Sequence, residues 1–304
     1  MPSRLATSLC GISLKTPVLA ASGTFGYGVE FKGLADLNSI GGIVVKGLSC
    51  EPMEGNPPPR LWETRSGMPN SIGLQNIGVR AFVSEKLPEL REFHTAVFAN
   101  IFGYAVEHYV EVARVLENAE GVAGYELNVS CPNTRHGGMY FSSDPSLLSE
   151  VVSAVRAVAR RPLLVKLSPN FGPVGPLALA AEEAGANAIS LVNTFGGMAI
   201  DPETRRPRLG ANSGGLSGPA IKPVALRMVY EAAQSVKIPV VGLGGISTGL
   251  DAAEFLIAGA CAVQVGTANF WDPKATVRIA RELEQFLERQ NIKAQDLVGT
   301  LKLN

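Results

Sequence analysis

Short apolar runs recur along the chain and alternate with helical patterns. Eight are β-branched or aliphatic: Pro17–Ala21, Gly42–Lys46, Ala96–Asn100, Tyr125–Val129, Leu163–Leu167, Ala188–Val192, Ile238–Leu243 and Ala262–Val265. Runs this short, bounded by turn formers, read as strands buried on both faces. After Asp144-Pro145, an N-cap with proline in the first turn, Leu148, Val151, Val152 and Val155 fall on one helical face. Asp272-Pro273 is expected to open the last helix in the same way. Strands alternating with helices imply a parallel sheet with right-handed crossovers. Eight such units predict an α/β fold, a (β/α)8 TIM barrel spanning residues 1–304 as a single domain, with a doubly wound open sheet as the competing architecture.

Two connections are too long for simple turns. One runs from Leu48 to about His94 and contains Asn56-Pro-Pro-Pro-Arg60 and Asn70–Gly78. The other runs from Thr194 to about Lys237 and contains Asp201-Pro202, a basic cluster at Arg205, Arg206 and Arg208, and Gly214–Pro219. Turn formers dominate both, with enough apolar residues to pack as a cap over the barrel mouth. The arginine cluster reads as a solvated loop.

In a barrel, catalytic groups sit where strands end. The ends here are Ser22-Gly23, Lys46-Gly47, Asn100, Asn128 with Cys131, Lys166 with Ser168, Asn193-Thr194, Gly244-Gly245 and Gly266-Thr267. Ordinary turn chemistry explains the glycines. It explains two lysines and three asparagines poorly, since lysine is rarely buried without a partner.

The fourth run hands over to Asn128-Val-Ser-Cys-Pro-Asn-Thr-Arg-His-Gly-Gly138. Asn128 and Asn133 can each donate and accept, which suits a planar, carbonyl-rich ligand. Cys131 is the side chain there that could move a proton near neutral pH, although an exposed turn carrying an incidental thiol reads equally well from this stretch alone. His136 reads as a surface loop residue, and His94 and His108 as structural. Gly242–Thr248 and Gly266-Thr267 follow the last two strands, where barrels place a phosphate on backbone N–H groups and a helix N-terminus. Beside such a pocket, Lys46 and Lys166 could stabilise negative charge on a reduced cofactor. No Gly-x-x-x-x-Gly-Lys-Ser/Thr loop is present, which argues against nucleotide hydrolysis.

Composition narrows the classes further. Hydrophobic residues make up 46% and aromatics 7%, and 27 basic residues balance 27 acidic ones. No basic field exists to recruit nucleic acid or anionic lipid. The first residues lack the apolar core of a signal peptide, and no window is long and apolar enough to span a bilayer, so a cytoplasmic protein is expected. The four cysteines, at 10, 50, 131 and 261, never form Cys-x-x-Cys, which argues against a zinc or iron–sulfur site on this chain. Cys10, Cys50 and Cys261 read as small structural residues.

Several segments together resemble the dihydroorotate dehydrogenases. They are Ala21–Gly28, Gly55-Asn-Pro-Pro-Pro-Arg60, Asn70-Ser-Ile-Gly-Leu-Gln-Asn76, Asn128-Val-Ser-Cys-Pro-Asn133, Val165-Lys-Leu-Ser-Pro169, Asn193-Thr194, Gly215–Ala220 and Gly242–Ile246. The resemblance implies FMN in the barrel mouth and oxidation of (S)-dihydroorotate to orotate in pyrimidine synthesis. It assigns flavin contacts to Ser22, Lys46, Gly47, Asn100, Asn128, Lys166, Val192, Gly218, Gly244, Gly245, Gly266 and Thr267. It assigns substrate contacts to Lys46, Asn70, Ser71, Ile72, Gly73, Leu74, Asn128, Asn133, Asn193 and Thr194. Cys131 takes the position of the family's base, drawing a proton from C5 while hydride leaves C6 for the flavin.

A subtype is implied as well. The membrane-bound branch uses serine as base and carries an apolar N-terminal extension, neither of which is seen here. Ser22–Gly26 and Leu74-Gln-Asn76 look like the NAD-linked type B enzymes rather than the fumarate-linked type A, although Ile101-Phe-Gly103 departs from the Val-Ala-Gly expected after Asn100. Type B implies an electron-transfer subunit carrying FAD and a [2Fe–2S] cluster, two of them flanking a homodimer of this chain in a heterotetramer. The rivals are the fumarate-linked type, a reductase similar to dihydropyrimidine dehydrogenase, and a non-catalytic phosphate-binding barrel.

Overall fold

The computed structural model describes residues 3–129 and 141–304. Eight parallel strands close into a barrel in chain order. They are β1 (Val18–Ala20), β2 (Gly42–Val44), β3 (Ala96–Ile101), β4 (Gly124–Asn128), β5 (Leu163–Lys166), β6 (Ala188–Leu191), β7 (Val240–Leu243) and β8 (Ala262–Val265). Nearly every strand residue is buried, as expected where helices cover the outside and side chains fill the inside. The open-sheet alternative falls, because β8 pairs in parallel with β1.

Register places the functional level. Asn100 lies opposite Glu126, Asn128 opposite Lys166, Lys166 opposite Ser190, and Leu243 opposite Gln264. Side chains two residues apart on a strand share a face. Thus Phe98 precedes Asn100, Leu164 precedes Lys166, Ala188 precedes Ser190, and Ala262 precedes Gln264. The earlier member of each pair belongs to one apolar cluster with Leu19, Val44 and Val241. One step towards the strand C-termini, the interior becomes polar.

The lower end is closed by an N-terminal hairpin, Thr7–Leu9 with Ile12–Leu14, whose Leu9 and Leu14 join that apolar cluster. Its two turn residues, Cys10 and Gly11, have φ of 51° and 82°, the positive values that a two-residue hairpin turn favours.

Helix 145–156 forms as the sequence predicts. Asp144 accepts from the Ser146 and Leu147 amides, and Leu148, Val151, Val152 and Val155 are buried against the barrel. Each such side chain contributes about 1.5–3 kcal/mol through burial. The last helix differs from expectation, running Ala275–Gln290. Asp272 instead ends the short helix Ala268–Trp271, accepts from the Lys274 amide and receives the Arg278 guanidinium at 3.0 Å.

The cap is more ordered than its turn-rich sequence suggests. Gly214–Ser217 pairs antiparallel with Met68–Asn70 on one side and Phe195–Gly197 on the other, joining the two long connections in one small sheet. Arg205 and Arg206 are exposed. Arg208 is not simply solvated: it pairs with Asp201 at 3.2 Å and lies over the Trp62 ring, 4.2 Å from its centroid. Among the described residues no helix is long and apolar enough to cross a membrane.

Candidate active site

Between the barrel mouth and the cap lies a cleft of about 1270 Å³, counting space open to solvent. Ser22, Lys46, Gly47, Asn100, Asn128, Lys166, Val192, Gly218, Gly244, Gly245, Gly266 and Thr267 all line it, as do Asn70, Ile72, Leu74, Asn193 and Thr194. Ser71 and Gly73 do not. Asn70, Ile72 and Leu74 face the cleft, the chain turning through positive φ at Gly73 and Leu74. Ser71 is fully buried, with its amide bonded to the Arg60 carbonyl and its hydroxyl without a partner among the described residues. Gly73, at φ 75°, packs where a Cβ would lie 2.4 Å from the Asn56 amide nitrogen, so its role is in the backbone. Cys131 and Asn133, together with His136, lie outside the described residues.

The floor of the cleft is a charged network. Glu126, on β4, is completely buried. Its Oε1 accepts from Asn100 Nδ2 at 2.7 Å and lies 3.5 Å from both Lys166 Nζ and Ser22 Oγ. Its Oε2 accepts from Gln264 Nε2 at 2.6 Å and from Ser190 Oγ at 3.0 Å. Lys166 Nζ also donates to Ser22 Oγ at 3.1 Å. A buried carboxylate is tolerated only with such a set of donors.

One wall carries the second lysine. Burial in the cleft pulls Lys46 below its ordinary value of 10.5, and the Arg60 guanidinium adds to the shift, partly opposed by Glu30. Arg60 is fixed by its own loop, donating to the Asn56 and Glu54 carbonyls and to Gln75 Oε1. Lys46 and Lys166 both line the cleft, and two cations there suit an anion. Nearby, Asn70 Nδ2 donates to the Gly215 carbonyl at 3.1 Å, and Asn193 Nδ2 donates to Asn128 Oδ1 at 3.2 Å. The peptide between Leu191 and Val192, just before Asn193, is cis.

At the opposite end Gly218, Gly244 and Gly245 have φ of 92°, 131° and 76°. A Cβ on Gly245 would meet Lys222 Cβ at 2.8 Å and the Gly218 carbonyl at 2.9 Å. The helix N-terminus expected to join this pocket is already engaged. Thr248 and Asp251 form a capping box on helix Gly249–Ile257, and Glu282 accepts from the Gly249 amide. The amides of Gly244, Gly245, Gly266 and Thr267 make no hydrogen bond among the described residues and are the donors left for an anion.

Two contributors were not singled out from sequence: Glu126 and Gln264. Each is a polar residue inside an apolar strand run, and that was the available signal. Ser217, Gln75, Leu61, Met68 and Phe270, supplied by the cap and by the short helix after β8, also line the cleft. Away from the cleft, burial pushes the Cys10 and Cys261 thiols up to about 11 and about 12, in keeping with inert structural residues.

Comparison with known proteins agrees with this arrangement. The family model described as dihydroorotate dehydrogenase matches residues 4–287. A protein of Solibacter usitatus named putative dihydroorotate dehydrogenase A (fumarate) is 70% identical over 303 residues, 99% of this chain and 100% of its own. The dihydroorotate dehydrogenase B (NAD(+)) catalytic subunit of Geobacter sp. (strain M21) is 53% identical, with 98% of each chain covered. That of Geotalea uraniireducens is 54% identical, again covering 98% of each. A crystal structure of DHODH from Eimeria tenella in complex with ferulenol shares the fold, with TM-score 0.82, 23% identity, and 98% of this chain and 88% of that one covered. Matched over nearly its whole length and closed into the same barrel, this chain belongs to the dihydroorotate dehydrogenase family.

Proposed function

We propose that the cleft binds FMN and dihydroorotate together and that Cys131 is the base of the oxidation. The observation that carries the reading is Gln264 Oε1, a buried acceptor in the cleft wall with no partner among the described residues. Such an atom calls for a ligand N–H or O–H donor. The free amides of Gly244, Gly245, Gly266 and Thr267 fit a phosphate, and Asn100, Lys166 and Ser22 fit the polar edge of a flavin ring. Bound there, FMN supplies a two-electron acceptor for hydride from C6 of dihydroorotate. Lys46 holds the substrate carboxylate, with Arg60 behind it. Asn70, Asn128, Asn133 and Asn193 satisfy the ring amides and carbonyls, and Cys131 removes the C5 proton. The cap sheet limits water above them. The test is direct: purified protein should be yellow, release FMN on denaturation, and bleach anaerobically with dihydroorotate but not dihydrouracil. A colourless protein that takes up no FMN would end this reading.

For the electron acceptor we infer the NAD-linked arrangement, with an electron-transfer subunit carrying FAD and a [2Fe–2S] cluster, in the cytoplasm. The names of the Geobacter and Geotalea relatives support it, while that of the Solibacter relative favours fumarate. Purification from the native cell, followed by assay with NAD+ and with fumarate, separates the two. A chain that purifies alone and reduces fumarate belongs to the second kind.

A further inference from the structure

We propose that Glu126 is a positioning residue that sets the reduction potential of the bound flavin, acting through Lys166 and through the two carboxamides it orients. The inference rests on FMN lying in the cleft, as proposed above.

A carboxylate only accepts hydrogen bonds. Asn100 and Gln264 therefore must turn their NH2 groups towards Glu126, at 2.7 and 2.6 Å. This dictates where their oxygens point. Gln264 Oε1 is left as a buried acceptor in the cleft wall, and Asn100 Oδ1 faces Gly47, where a Cβ would come within 3.0 Å of it. Neither amide can flip without setting donor against acceptor inside a buried network. One side chain thus decides the hydrogen-bonding polarity of two cleft residues.

Charge is the second consequence. Lys166 Nζ lies 3.5 Å from Glu126 Oε1, both groups are almost wholly buried, and Lys166 lines the cleft. The short contacts to the carboxylate come from the neutral amides, whereas the ammonium stands further off. At that separation in a buried site, the carboxylate still offsets part of the positive field that Lys166 imposes on the cleft. Reduction adds negative charge to a flavin, so a stronger positive field favours the reduced form. Neutralising Glu126 should accordingly make bound FMN easier to reduce. A merely structural strand tie would alter stability and leave the potential where it was.

The experiment is an anaerobic reductive titration of bound FMN in the wild type, Glu126→Gln, Lys166→Gln and the double variant. Glu126→Gln should shift the two-electron equilibrium about tenfold towards reduced flavin, some 30 mV more positive, with flavin stoichiometry unchanged. Lys166→Gln should shift it the other way, and the double variant should return near the wild type. A Glu126→Gln protein with full flavin and an unaltered potential overturns the proposal. If that variant does not fold, the double variant carries no buried charge at the pair and is compared with Lys166→Gln alone. Equal potentials in those two overturn the proposal as well. A wild-type protein that binds no FMN instead overturns the cofactor reading, and is told apart by its lack of colour.

Discussion

Asn193 Nδ2 donates to Asn128 Oδ1 at 3.2 Å, linking the end of β4 to the loop that follows β6. The bond sets the orientation of each carboxamide. Asn193 Oδ1 in turn accepts from the Thr194 amide at 2.8 Å, so the pair is braced from both sides. Replacing Asn193 with alanine should therefore cost dihydroorotate twice, through a lost contact and a reoriented Asn128. We expect kcat/KM to fall about 10- to 100-fold, the equivalent of 1–3 kcal/mol, with flavin content unchanged. Steady-state kinetics with absorbance-based flavin counting decides it.

Lys46 should trade stability for binding. Burial and Arg60 hold its pKa below 10.5. Between that lowered value and 10.5 the unfolded chain binds the proton and the folded chain does not, so stability rises with pH across that window. Below the window both states are charged, and burying the cation is a standing penalty. Lys46→Met should stabilise the ligand-free protein by about 1 kcal/mol at neutral pH while weakening orotate at least tenfold. Thermal unfolding and orotate titration measure the two effects. For the wild type, orotate affinity should decline as alkaline pH removes the Lys46 proton.

Cys131→Ala should keep its flavin and reduce it 10²- to 10⁴-fold more slowly, the usual contribution of a general base. A free thiol titrates near ~8.5, so wild-type flavin reduction should accelerate from neutral to alkaline pH. Stopped-flow bleaching across that range is the measurement. A Cys131→Ala protein reducing its flavin at the wild-type rate would refute the assignment.

Gly245→Ala should lose flavin before it loses fold. The residue has φ 76°, and the new methyl would press on Lys222 Cβ and the Gly218 carbonyl. Strain of about 1–3 kcal/mol is expected, relieved by displacing the amides that the phosphate needs. Bound FMN per chain, read beside the circular dichroism spectrum, tests this.

The barrel was legible because each strand is buried on both faces and so reads as an uninterrupted apolar run, as at Leu163–Lys166. The strand ends were legible because lysine and asparagine are conspicuous there. The cap sheet was not: Met68–Asn70 and Gly214–Ser217 pair through main-chain groups across a long sequence separation, and Gly-Gly-Leu-Ser carries no strand signature of its own. Ser71 and Gly73 were grouped with their neighbours because a motif does not show which side chains of a loop face inward. Asp272 reads as a helix cap by local pattern, but its carboxylate takes the Lys274 amide and the Arg278 guanidinium, while its own amide ends the short helix before it. Glu126 and Gln264 were visible as anomalies within apolar strands, and only the closed barrel reveals that they meet.

The hairpin plug at the base has a consequence for traffic. With Leu9 and Leu14 corking the lower opening, small molecules reach the cleft from the top rather than from beneath. Orotate must vacate before the next dihydroorotate can enter, and any protein relieving the centre of its electrons must work through the cap or the wall. Cutting away the first fourteen residues would therefore wet the barrel from beneath.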